Sequence, residues 1–537
     1  MATNVVERAN AKEPAIFPWL FGATLGLSLV YTAYFVLRFG GLWSENDTAA
    51  FSSVTMNMLR SGSVLFAGQY THGYAYPAWL GTLSLLTGLR VPVMNTVVIP
   101  FLGSFFLALT AFLAFRVWLR SAKWAILGVL LLFGSPDLLF SALRGNHEKL
   151  TIMLFLMVFY AMVQGFSAIG QGRLGEYGTW TLLMYLFEFT NATVNDYFAS
   201  TLAAAASVAV VVSSWIVRHR RVLEPSNSVA TRRLGAVVAT SWLLVLWVMF
   251  FVYTPAGHDF QLLKTASSKL MSLFLTFRAG SNPYVLVHAQ WAGPVVVDLV
   301  ASYRWSLFLA SFAVWIGALW GLVVRRRSMS WNNLLLVTLY GAFGLTIAVA
   351  IPMDFSGLAA GANLEVRNFI YYVLFAVPMF LVGVRALQQR SATVKRYISM
   401  PLAAWGSGAV LVGFIAIGLL KATLDPAISN QWLFYRPSEK QAVGYFWTHA
   451  ADSSLWTGPD NRIPYMWSTW NTSNPHNNSI AGYALQPSER DWLMSPAVVR
   501  SSIVQEEPVP NYQAQDYVYD NGTSQVYHMA PHTMFEN

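Results

Sequence analysis

Residues 91–123 read VPVMNTVVIPFLGSFFLALTAFLAFRVWLRSAK. From Val91 to Phe115 the run carries no charge, and it is longer than the roughly 20 residues that cross a bilayer core. Arg116, Arg120 and Lys123 then follow within one short stretch. An apolar run closed by a basic cluster is the pattern of a membrane span that ends on the cytoplasmic side.

The rest of the chain repeats this grammar. Of 537 residues, 55% are hydrophobic and 11% are charged, against about 25% charged in an ordinary soluble domain. Mean hydropathy is +0.46, and the apolar residues come in runs rather than in a stripe or an alternation. A soluble fold of this length cannot hide so much apolar surface, whereas a bilayer accepts it as solvent. The 21 Trp, 24 Tyr and 35 Phe suit a protein with aromatic belts at two interfaces. A net charge of +9 would suggest nucleic acid in a soluble protein. Here the basic residues gather in short loops and no aromatic-basic module accompanies them, so the expected partner is a lipid bilayer and not nucleic acid. Cysteine is absent, which excludes disulfides and any thiolate nucleophile or metal ligand. Met1 to Phe17 is polar and mixed in charge, without a secretory pattern.

About eleven spans are expected, each near the length needed to cross the hydrocarbon. They begin with Ile16 to Leu37 and end near Leu420. The third runs from Trp124 to the turn Arg144-Gly-Asn-His147-Glu148-Lys149, and the fourth returns from Leu150. Trp180 to Val217 reads as a tight hairpin, with Asn191-Ala-Thr-Val-Asn195-Asp196 at its tip. Arg218, Arg220, Arg221, Arg232 and Arg233 make a basic loop, as do Arg325-Arg-Arg327 and Arg385 to Arg396. With the N-terminus cytoplasmic, every basic cluster falls inside and the loops 43–90 and 254–304 fall outside. The expected molecule is an α-helical, multi-pass plasma-membrane protein. Residues 1–420 form its membrane domain, and residues 421–537 a small extracytoplasmic domain, mixed α/β or mostly β. Ser502-Ile-Val, Asp516-Tyr-Val-Tyr and Gln525-Val-Tyr-His look like short strands, the last two around the turn Asp520-Asn-Gly-Thr.

The first outer loop carries the most chemistry: Trp43-Ser-Glu45-Asn-Asp47-Thr-Ala-Ala-Phe51-Ser-Ser-Val54-Thr-Met-Asn-Met58-Leu59-Arg60-Ser-Gly62. Phe51, Val54, Met58 and Leu59 approximate one apolar face of an interfacial helix. Two readings of Asp47 are open, an N-cap of that helix or a reactive carboxylate. The chain continues through Gly68-Gln-Tyr70-Thr-His72-Gly-Tyr-Ala-Tyr76-Pro77 to Leu80-Gly-Thr-Leu-Ser-Leu-Leu-Thr-Gly88.

This succession resembles the first extracytoplasmic loop of the C-type (GT-C) membrane glycosyltransferases, the superfamily of protein O-mannosyltransferases, aminoarabinose transferases and oligosaccharyltransferases. The shared features are an acid just after span one, an interfacial helix and a Tyr-Pro ahead of span two. The resemblance implies an inverting transfer of sugar from a polyprenyl-phosphate donor to a glycan, lipid or protein acceptor on the extracytoplasmic face. It makes Asp47 the catalytic carboxylate, with Glu45 as the alternative. It points to a second acid in the next outer turn, here Glu148, and makes Arg144 and His147 beside it candidates for binding the donor phosphate. It also makes Arg367, in Ala362-Asn-Leu-Glu365-Val-Arg367-Asn-Phe-Ile-Tyr-Tyr372, the contact to the donor phosphate. The chemistry wants these types: a base for the acceptor proton, and a guanidinium, always charged and rich in donors, for the leaving phosphate.

Two departures stand out. The acids read Glu-Asn-Asp instead of lying adjacent, and His-Glu replaces the more familiar Asp in the second turn. Bland readings also exist for these charges. Arg367 could be an interfacial anchor paired with Glu365, and residues 144–149 could be snorkelling boundary charges. Further candidates are His72, Tyr76, Asp196, Lys264 and Lys269. A divalent cation between Asp47 and Glu148 is compatible with these residues but not implied by them, and no metal-ligand spacing occurs among the 9 histidines. Two other functions compete. A polysaccharide polymerase or ligase would place its Arg and His residues in a late outer loop. A transporter or flippase would place ionisable residues midway along the spans.

Overall fold

The computed structural model describes residues 17–39, 46–64, 70, 72–220, 226–252, 294–324, 331–355, 364–390 and 436–450, five short C-terminal strands, and scattered positions between them. Glu45, Lys269, most of 254–293, the expected eleventh span and the Ser502 strand lie outside the described residues. The membrane part is helical: α1 (Phe17–Phe39), α2 (Asn46–Ser61), α3 (Ala75–Thr87), α4 (Val91–Leu119), α5 (Ala122–Phe133), α6 (Pro136–Leu143), α7 (Glu148–Gly170), α8 (Leu174–Val194), α9 (Asp196–Arg220), α10 (Ser226–Trp247), α11 (Pro294–Val323), α12 (Trp331–Phe355) and α13 (Leu364–Arg390). Among the described residues seven helices are long and apolar enough to cross a membrane: α4, α7, α9, the α10 segment to Val252, α11, α12 and α13. The other expected spans are α1 and α8, the broken α5–α6 pair, and the stretch near residue 400–420.

The expected third span is two helices. Gly134 and Ser135 interrupt it, and Pro136 opens α6 as a first-turn residue whose missing N–H costs nothing there. The expected hairpin is present, with the single residue Asn195 between α8 and α9; its first arm starts at Leu174, before the expected Trp180.

Burial shows how the bundle is layered. The central helix α13 has a run from Phe369 to Val377 that is buried throughout. Tyr371 is hydrogen-bonded to Thr151 of α7 (2.8 Å), and Tyr372 is hydrogen-bonded to Tyr340 of α12. Helix α11 is peripheral, and Trp305, Leu309, Phe312, Ile316 and Trp320 are exposed along it at the three-to-four-residue spacing of a lipid-facing stripe. The two ends differ in charge. At one end Arg385 donates to the Leu119 carbonyl (2.5 Å), near Arg116 and Arg120. The first residues of α7 and α13 lie at the opposite end, with α2 and α3.

The C-terminal part contains α14 (Pro437–His449) and a five-stranded mixed sheet in the order β2-β1-β3-β5-β4. The strands are β1 (Ser454–Trp456), β2 (Ser479–Ala481), β3 (Arg490–Met494), β4 (Asp516–Asp520) and β5 (Gln525–Met529). β1 runs parallel to β2 and β3, while β5 is antiparallel to β3 and β4. The expected turn between β4 and β5 is there, with Gly522 at φ +86° and its N–H on Asp520 Oδ1 (2.7 Å). Ala442, Val443, Phe446 and Trp447 of α14 share one buried cluster with Leu455, Leu493, Val526 and Ala49 of α2. The sheet domain is thus seated on the helix that carries Asp47.

Candidate functional site

Helix α2 begins at Asn46, which places Asp47 inside the first turn, where the helix dipole favours a negative charge. Its carboxylate accepts from Arg144 Nη2 (2.9 Å). The same nitrogen donates to Glu148 Oε1 (2.7 Å), and Glu148 Oε2 accepts from Ser141 Oγ (2.7 Å). Arg144 is 3% exposed and Asp47 33% exposed. The guanidinium is therefore a buried bridge between two carboxylates, one of which reaches the surface. Asp47 and Arg144, 97 residues apart, meet because the α6–α7 turn is tied to α2. Gly145 N–H donates to Thr48 Oγ1 (2.9 Å).

Asn95 completes that tie. It lies in a π-helical turn, Met94–Val98, within α4, a distortion that often marks functional sites. Its Nδ2 is shared between the Gly145 carbonyl (3.1 Å), Ser52 Oγ (2.9 Å) and the Thr48 carbonyl (3.2 Å), and its Oδ1 accepts from Tyr76 OH (2.6 Å). A Cβ on Gly145 would overlap the Asn95 amide, so glycine is what lets the turn close on it. Tyr76 is fully buried and acts here as a latch between α3 and α4. The buried face of α2 includes Phe51 and Met58, as expected, but also Thr48, Ser52 and Thr55.

Lys149 is buried as well, with Nζ on the carbonyls of Arg144 and Asn146, and Gly103 of α4 makes room for its stem. His147 is buried among rings: Phe51 at 5.1 Å, Tyr70 at 5.3 Å and Phe198 at 6.1 Å. Its Nε2 is 2.9 Å from Asn195 Nδ2. Because an amide N–H can only donate, Nε2 is the acceptor and the ring is neutral. Burial pulls the His147 imidazole down to about 3, against the opposing pull of Glu148. Burial, with the Asp47 charge, pushes the Tyr70 phenol up, so it stays protonated.

Arg367 is exposed near the start of α13, and its charge acts on both Tyr70 and His147. Arg304 of α11 lies over the Phe369 ring (5.1 Å), adding a second cation at this end. His72 Nδ1 is 3.3 Å from Asp196 Oδ1. Asp47, Arg144, His147, Glu148, His72, Asp196 and Arg367 thus gather around Tyr70 at one end of the bundle, while Lys264 is exposed. Asn95, Ser141 and Arg304 were not singled out from the sequence, while Lys149 and Asn195 stood there only as parts of the charged turn and the hairpin tip. The signal for Asn95 was its place as a lone amide within a 25-residue uncharged run. Ser141 and Arg304 carried none.

No family model and no curated protein sequence matches the chain. The similarity lies with solved structures. The Archaeoglobus fulgidus oligosaccharyltransferase tethered with an acceptor peptide aligns over 98% of this chain and 76% of its own, at 10% identity and a TM-score of 0.51. The chain has the GT-C fold. ArnT from Cupriavidus metallidurans in the apo state is 14% identical over 96% of this chain and 98% of that one, with a TM-score of 0.43. Arabinofuranosyltransferase AftD from Mycobacteria is 12% identical over 96% of this chain and 40% of that one, with a TM-score of 0.42. At 10% identity the oligosaccharyltransferase match shows the shared fold and nothing of the reaction.

Proposed function

We propose that this protein is an inverting membrane glycosyltransferase that moves a sugar from a polyprenyl-phosphate donor to an acceptor on the extracytoplasmic side. The observation that carries the reading is the Asp47–Arg144–Glu148 bridge, set at the same end of a GT-C bundle as Arg367. Asp47 is the base. Arg144 holds one of its oxygens, fixing the carboxylate while leaving it partly at the surface to take the acceptor proton. The acceptor oxygen attacks the anomeric carbon from the side opposite the phosphate, which inverts the configuration. Arg367 makes no hydrogen bond or ion pair among the described residues, and an exposed guanidinium of this kind suits the departing phosphate. Glu148, anchored by Ser141, holds Arg144 in place.

A divalent ion does not fit between the two carboxylates. The Arg144 guanidinium already occupies the bridging position, and the described residues contain no group of three metal-ligating side chains. A transporter reading gains little, because the ionisable cluster sits at one end of the bundle and not midway along it.

The test is sugar transfer by the purified protein from a panel of polyprenyl-phosphate sugars, comparing wild type with Asp47→Asn. Loss of a base costs about 10²–10⁴ in rate, so transfer should fall by that factor while donor binding is kept. Undiminished transfer by the variant would move the base elsewhere. No turnover by wild type with any donor would remove the reading.

A further inference from the structure

At the end of the bundle opposite Asp47, helices α7, α8 and α10 enclose a narrow groove that opens at its side. Ala161 and Ile169 of α7, Tyr177 and Thr181 of α8, and Leu234 and Val237 of α10 are among the residues that line it. No charged side chain belongs to the lining. From Ile169 back to Ala161 the groove follows α7 for roughly 12 Å at the helical rise, from the end of the helix toward its middle.

The mouth of the groove is basic. Arg233 lies over the Tyr177 ring (6.0 Å), and Tyr177 is part of the lining, so this guanidinium stands at the groove's end. Arg232 and Arg233 are both exposed, and neither makes a hydrogen bond or an ion pair among the described residues. Glu176, the acid in the first turn of α8, is taken up by Arg173, whose Nη1 donates to both carboxylate oxygens (2.5 Å each). Two like charges therefore sit side by side without a counter-ion among the described residues. Leu234, the next residue, is 5% exposed, so the chain passes from free cation to groove wall in one step.

A cation pair at the end of an apolar groove matches a ligand with an anionic head and a hydrocarbon tail. A soluble anion meets the charge and leaves the groove unfilled. A zwitterionic lipid fills the groove but brings its own cation to the arginines. Basic pockets between membrane helices suit anionic head groups for this reason, and the half-buried rings of Tyr177 and Trp180 suit the interface where such a head group lies.

We propose that this groove is a binding site for an anionic phospholipid of the adjoining leaflet. Its phosphate rests on Arg233 and Arg232, and one acyl chain lies between α7, α8 and α10. The site is remote from Asp47 and independent of the donor reading above.

The test titrates the full-length protein in detergent with phosphatidylglycerol or phosphatidylcholine. Native mass spectrometry counts the bound lipid, and melting temperatures are recorded alongside. An arginine near the bilayer surface favours an anionic lipid by about fivefold, so wild type should prefer phosphatidylglycerol by about 25-fold at low salt. Arg233→Gln should lose about fivefold of that preference and Arg232→Gln/Arg233→Gln nearly all of it, with phosphatidylcholine binding unchanged. Thr181→Phe and Ile169→Trp fill the groove and keep the charges; whichever of them retains the wild-type melting temperature should bind both lipids more weakly.

Equal binding of the two lipids by wild type overturns the proposal. So does a preference that survives in the double arginine variant, because other basic residues then supply it. Undiminished phosphatidylglycerol binding by a folded groove-filling variant reduces the site to surface charge alone. Displacement of phosphatidylglycerol by an equal concentration of glycerol 3-phosphate would do the same, since the tail would then add nothing.

Discussion

At the residue scale the centre of the site is one nitrogen. Arg144 Nη2 donates to both Asp47 and Glu148, so a single planar group sets the distance between two like charges and cancels their repulsion. Lysine can supply the charge, but its ammonium ends one bond short of the Nη2 position and so cannot reach both carboxylates from the same backbone. Arg144→Lys should therefore cut transfer by at least tenfold while leaving the protein folded. Arg144→Gln leaves Glu148 buried with Ser141 alone and should cost about 3–5 kcal/mol of stability as well. Rate assays paired with thermal melts in detergent separate the two effects, and a fully active Arg144→Lys would show that a point charge suffices. The individual charges were legible in the sequence because a chain with 11% charged residues has few of them to explain. What could not be read was the pairing of Arg144 with Asp47 across 97 residues, which depends on Asn95. A neutral amide in an apolar run announces neither a charge nor a partner.

At the scale of elements, helix pairs were easier to read than their interruptions. The α8–α9 hairpin followed from an apolar stretch too long for one crossing with a polar tip. The break at Gly134-Ser135-Pro136 is marked in the sequence by Pro136 alone, because the hydropathy on both sides is continuous. That break lets α6 end at the turn carrying Arg144, so the interruption helps build the site. Helix α8 also holds a group with no evident role at the site. Glu188 is 2% exposed, and neither of its oxygens has a hydrogen-bond partner among the described residues. Its neighbours along the same helix, Phe189 and Ala192, pack against Val245, Val248 and Met249. A buried, unsatisfied polar group costs about 1–3 kcal/mol, and methionine offers a similar length without that cost. Glu188→Met should accordingly raise the melting temperature and leave sugar transfer unchanged. A loss of transfer without a gain in stability would instead assign Glu188 a part in the reaction.

At the scale of the whole molecule, two asymmetries coincide. The site and the seat of the sheet domain on Ala49 lie at one end of the bundle, while Arg116, Arg120 and Arg385 mark the other. The positive-inside rule predicts a cytoplasmic basic end; the proposed function then needs Asp47 and the sheet domain outside, where a lipid-linked donor replaces the nucleotide-activated sugars that stay with the cytoplasm. The chain makes this easy to test, since it contains no cysteine and each introduced one is a unique label. Ser63 follows α2 at the site end and is exposed, and Gln171 follows α7 at the opposite end and is also exposed. In intact cells a membrane-impermeant maleimide should modify Ser63→Cys at once and Gln171→Cys only after the membrane is opened. The reverse pattern would turn the site toward the cytoplasm and remove the premise for a polyprenyl-phosphate donor. Labelling of both in intact cells would mean that α7, whose apolar segment runs 22 residues from Glu148 to Ile169, does not separate the two compartments, and the membrane topology would have to be redrawn from that helix outward.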